Sequence, residues 1–154
     1  METDPDRKLL VAALNRCIEA CVDAERAYGV AAATVRDAGL KLAFQQRAAE
    51  RERFVIELQR AVVELGAFPE NEGSLKGAAR RRLMDFERNI EPVHEDHRVI
   101  ADLVREERAG IDTYDAALPE ARVDRLSPDA RVMVREQRAA IELALDELTR
   151  RIAA

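Results

Sequence analysis

Residues 97–118 read HRVIADLVREERAGIDTYDAAL. At helical spacing His97, Ile100, Val104, Glu107, Ile111, Tyr114 and Leu118 fall on one stripe with steps of three and four. Six of the seven suit an interior. Glu107 does not, unless a facing helix answers its charge, because an unpaired carboxylate withdrawn from water is strongly penalised or takes up a proton. The remaining chain reads as the helices that pack around this stripe, and the functional question becomes what faces Glu107.

Working outward, Pro92 marks the break before this helix, which is placed at about 92–118. At the N-terminus Asp4-Pro5 is a cap followed by proline at the first helical position. From there Leu10, Leu14, Cys17, Cys21, Ala24, Tyr28, Ala31 and Val35 repeat at alternating steps of four and three, predicting a helix over 5–36. Asp37-Ala38-Gly39 is read as its break, with glycine supplying the terminating conformation. A second helix is predicted over 40–65, with Leu40, Phe44, Ala48, Phe54, Val55, Leu58, Val62 and Leu65 inward and Gly66 at its end. Arg51 interrupts that stripe yet should point inward with Phe44 and Phe54. Ser74 begins a shorter helix over 74–89. Residues 119–127 read as a loop, and Ser127-Pro128 repeats the cap-plus-proline start for a last helix over 128–152, with Val134, Gln137, Ile141, Leu145, Leu148 and Ile152 inward.

The totals agree with packed helices in one domain spanning 1–154. Of 154 residues 47% are apolar, 36% charged and 4% aromatic, with no Trp, five prolines and six glycines. The net charge of −5 comes from interleaved signs, and Arg80-Arg81-Arg82 is the one basic run, so no nucleic-acid-binding face is expected. No apolar run approaches the roughly 20 residues of a membrane span, and the acidic start has no signal-peptide core; a cytoplasmic protein without membrane partners is expected. Cys17 and Cys21 share a helix face on which an unstrained disulfide is disfavoured, and they are read as reduced core thiols.

The segments LNRCIEACVDAERAYGVAA, RAAERERFVIELQ, LGAFPENEGSLKGAARRRLMDF and EERAGIDTYDAAL together resemble a bacterial ferritin-like four-helix-bundle family of unknown function, over about Leu14 to Leu148. The resemblance implies an all-α fold of two antiparallel helical hairpins joined by the short helix as a crossover. It implies no reaction. Related ferritin-like and rubrerythrin-like carboxylate proteins hold two irons with Glu from two helices and Glu-x-x-His from the other two. Aligned on the tyrosines, those positions fall at Cys21, Glu107, Arg51 with Phe54, and Glu142 with Leu145. Neither histidine is present, one carboxylate has become a cation and another a thiol, so the di-iron site is expected to be degenerate. An Arg51–Glu107 ion pair, helped by Gln137 and a tyrosine hydroxyl, is expected in its place. Cys21, Tyr28, Tyr114 and Gln137 are the residues that would line a small pocket around it, or else plain core.

Outside the bundle centre the run His94-Glu95-Asp96-His97 has two readings: histidines three apart that could hold a divalent ion together with another ligand, or a polar first turn of a helix. His94, His97 and Glu107 are therefore the metal candidates. Two histidines in one turn support no Ser-His-Asp arrangement, and GSLKGAA at 73–79 lacks the phosphate-loop pattern. No catalytic residue and no cofactor is expected. The function expected is that of a non-catalytic protein-interaction or structural module, its partner another protein or a second copy in a dimer. The alternative is a metal-binding or oxidoreductase protein with an atypical site.

Overall fold

The computed structural model describes residues 4–69 and 95–153, and among these the secondary structure is helical throughout. The helices are α1 (Pro5–Thr34), α2 (Ala38–Glu64), α3 (Asp96–Ala117), α4 (Glu120–Val123) and α5 (Pro128–Ala153). The helix expected over 74–89, the Pro92 break and the Arg80–Arg82 run lie outside the described residues, as does His94.

Helix starts are set by oxygens that accept the first free amides. Asp4 accepts from the Asp6 amide at 3.0 Å with Pro5 in the first turn, and Ser127 Oγ accepts from the Ala130 amide at 3.2 Å. The α1–α2 turn differs from expectation. Val35 is extended, Asp37 caps α2 by accepting from the Leu40 amide at 2.8 Å, and Gly39 lies inside the new helix rather than ending the old one. Gly66, at φ 79°, is the glycine that terminates a helix in the left-handed conformation. Residues 119–127 are also more ordered than a loop: they include α4, and Val123 and Leu126 are buried.

α1 packs on α2 and α3, α3 packs on α5, and α2 touches α5. Side-chain bonds fix the directions. Cys21 meets Tyr114 while Tyr28 meets Glu107, so α1 and α3 run antiparallel. Arg47 meets Glu147 while Glu57 meets Gln137, so α2 and α5 do likewise. α3 also runs antiparallel to α5, since Gly110 lies by Ile141 and Tyr114 meets Gln137, so α2 and α3 are parallel. Asp96 ties the start of α3 to the α1–α2 turn, accepting from the amides of Arg36 at 2.9 Å and Asp37 at 3.2 Å.

All eight positions of the α1 stripe are buried. Ala48, Leu65, Ile111, Leu145 and Ile152 are partly buried. His97, expected at the head of the inward stripe, is exposed. The buried side chains form two clusters. One gathers the first half of α1, the second half of α2, the end of α3, and Val123, Leu126 and Ala130. The other gathers Tyr28 to Leu40, Phe44, the first turns of α3, and Leu148. Between the two lies a layer of buried polar groups. None of the described helices is long and apolar enough to cross a membrane.

Candidate functional site

The polar layer is built from four helices, each contributing through one or two positions of its inward stripe. Arg51 of α2 and Glu107 of α3 are 1% and 0% exposed. Arg51 Nη1 donates to Glu107 Oε1 and Nη2 to Oε2, both at 2.6 Å, the two-pronged geometry in which a guanidinium matches a carboxylate. Tyr28 of α1 donates a third bond, to Glu107 Oε2 at 2.9 Å. The guanidinium also lies over the rings of Tyr28, at 5.5 Å, and Phe54, at 5.7 Å. Its Nε, which has no hydrogen-bond partner, faces Glu50 Oε1 at 3.6 Å.

The other half of the layer is uncharged. Tyr114 donates to Gln137 Oε1 at 2.6 Å, and its oxygen lies 3.2 Å from Cys21 Sγ. Because the tyrosine has one proton and Gln137 receives it, the thiol is the donor in the second contact. Gln137 Nε2 donates across to α2, to the Phe54 carbonyl at 3.3 Å and to Glu57 Oε1 at 3.2 Å.

Electrostatics follow from burial and pairing. Burial alone would make Arg51 easier to deprotonate, but the bonds to Glu107 reverse this and hold it charged, above the usual arginine range. Burial, with Glu107 adding to it, pushes the Tyr28 hydroxyl up. Burial likewise keeps Tyr114 well above its ordinary value. The thiols are pushed up by burial too, Cys17 to about 12 and Cys21 to about 11, so both are neutral and poorly nucleophilic near pH 7. Both cysteines are free.

The structure thus brings Arg51, Glu107 and Tyr28 together, and separately Cys21, Tyr114 and Gln137. Gln137 does not join the ion pair as expected; its amide is taken up by Tyr114, Phe54 and Glu57. Glu142 is a further correction. It is exposed and accepts from Arg138 Nη1 at 3.2 Å, so it is not at the bundle centre. Of the residues considered as a pocket lining, Tyr28 bonds into the ion pair, while Cys21, Tyr114 and Gln137 bond one another. Among the described residues no group of three or more His, Cys, Asp or Glu could hold a metal ion. Sequence reasoning missed Glu57, Glu50 and the Phe54 carbonyl. Glu57 lies off the apolar stripe of α2, and only the position of α5 reveals its partner.

The layer therefore belongs to a chain that is helical throughout its described residues and has a two-pronged ion pair at its centre. The chain is a member of a defined family: residues 10–120 match the family described as Domain of unknown function (DUF2383). That match includes every member of the layer on α1, α2 and α3 but ends before Gln137. No curated protein and no solved structure matches the chain.

Proposed function

We propose that this is a non-catalytic, ferritin-like bundle of a single domain, in which an ion pair occupies the level where such bundles hold a di-iron pair, and that it works in the cytoplasm as a protein-interaction or structural module. The parallel course of α2 and α3 supports the fold reading, since two antiparallel hairpins joined by a crossover place their second and third long helices in parallel. The observation that carries the functional reading is the Arg51–Glu107 pair. Both carboxylate oxygens are engaged by one guanidinium, and a fixed positive charge stands beside them. A pair of metal cations needs carboxylates and imidazoles at that level, and the neighbours here are a cation, a phenyl ring and a neutral thiol. These residues do not fit a di-iron cluster.

Elemental analysis of the untagged protein, followed by titration with ferrous iron and with zinc, tests the reading. No stoichiometric metal and no saturable uptake is expected. About two irons per chain, the load of a ferritin-like centre, would overturn it. One zinc per chain, lost in His94→Ala or His97→Ala, would establish the metal-binding alternative at the start of α3 instead.

A further inference from the structure

Along the first turns of α1 an open groove of about 380 Å³ lies between that helix and the residues that follow α2. Arg7, Lys8 and Arg16 line it against a single acid, Glu19, and Val11 and Ala67 supply an apolar wall. Arg7 is held at the α2 end, its Nη1 3.2 Å from where a Cβ on Gly66 would stand. Several other arginines, Arg47, Arg51, Arg125, Arg135 and Arg138 among them, each sit in an ion pair with a neighbouring carboxylate. Among the described residues the three groove cations have no such partner, and they converge on one concave surface of a chain whose net charge is −5. Directly after Ala67 stands Phe68, 92% exposed, the most exposed large apolar side chain among the described residues.

Basic groups around an apolar wall complement one kind of occupant. Opposite charge orients it and speeds its arrival, while a large apolar side chain seated against Val11 and Ala67 supplies anchoring. A nucleic-acid backbone would call for a continuous basic stripe, which three cations around one groove do not make. We infer that this groove is where the protein holds its partner, and that the occupant is an acidic segment of another protein bearing at least one large apolar residue. The inference rests on the interaction-module reading and names the surface and the chemistry of its partner.

A photo-crosslinking amino acid placed at Asn15, in the groove, and separately at the exposed Leu143 of α5 tests it in cells that make the full chain. Adducts are identified by mass spectrometry, and each crosslinked segment is resynthesised for fluorescence anisotropy. The expected result is an adduct from Asn15 whose segment carries more Asp and Glu than Lys and Arg. Its affinity should fall about tenfold or more in Lys8→Glu/Arg16→Glu, and again at high salt, as charge pairing at a solvated surface requires. Thermal unfolding of that double variant, unchanged, separates lost charge from lost fold. Adducts from Leu143 alone would overturn the groove and leave the module reading standing. An Asn15 adduct to a second copy of this chain would likewise replace the inference with self-association. A basic or uncharged segment, or one indifferent to the charge reversal, would overturn the stated chemistry. No adduct from either position would count against both the groove and the module.

Discussion

The two halves of the polar layer are built on the same plan with opposite contents. In α1 a cysteine precedes a tyrosine by seven residues, Cys21 and Tyr28; in α3 a glutamate does, Glu107 and Tyr114. Each tyrosine crosses to the other helix's partner: Tyr28 bonds Glu107, and Tyr114 bonds Cys21. On the Glu107 side the contact is ionic and needs Arg51 to neutralise it. On the Cys21 side it is neutral and is completed by a side-chain amide, Gln137. The same backbone geometry thus tolerates a charged or an uncharged filling, with nearly every buried polar group of the layer paired and Arg51 Nε the exception. What differs is the cost of removing one piece.

The sharpest break in the comparison is Glu107→Ala. It leaves the Arg51 guanidinium buried and unpaired, and a loss of about 3–5 kcal/mol is expected in urea unfolding. Arg51→Met/Glu107→Leu should recover most of that loss, because two apolar side chains of similar size leave no orphaned charge. Additive effects of the Arg51→Ala and Glu107→Ala single changes in a double-mutant cycle would refute the coupling. Next in size, Tyr28→Phe removes a bond to a charged acceptor and should cost about 1.5–3 kcal/mol.

The neutral half has its own signature in alkali. The thiols titrate near 9 when unfolded, against about 11 for Cys21 and about 12 for Cys17 in the fold. Above pH 9 the unfolded chain therefore loses protons that the folded one keeps. Stability supplied by these groups is fully present below pH 9 and declines as pH rises toward 11 and 12, by up to about 1.4 kcal/mol per pH unit for each thiol. Cys21→Ala should flatten that decline in unfolding curves recorded between pH 8 and 10.5. The smallest effect is expected for Tyr114→Phe, about 1 kcal/mol, since it removes bonds between neutral groups only. Equal losses in Tyr28→Phe and Tyr114→Phe would erase the distinction between the two halves.

Most of the helical framework was legible because periodicity records burial. The α1 stripe is buried at all eight positions, and Arg51 and Glu107 stood out as charged residues on apolar stripes. What periodicity omits is how far along a stripe the neighbouring helices reach. His97 continues the α3 stripe in sequence yet ends it in space, exposed at the first turn. Glu142 was misplaced against a signal already available, since Ile141 is inward and the next residue is turned about 100° away on a helix. The α1–α2 turn hid behind Gly39, although Asp37 three residues before Leu40 is the spacing of an N-cap. Gln137 showed its burial but not its partners. A bond between helices 83 residues apart depends on their relative height, which no single stripe encodes.

The bonds of the polar layer have a consequence for time rather than energy. They join residues 56, 79, 83 and 93 positions apart, so each closes a long loop. Helices and the α1–α2 hairpin form from near neighbours and do not wait for them. The layer is therefore expected to close after the folding transition state, at low φ. Weakening it with Tyr28→Phe should leave the refolding limb of a chevron plot in place and raise the unfolding limb, so the layer works as a latch that governs how long the folded chain lasts.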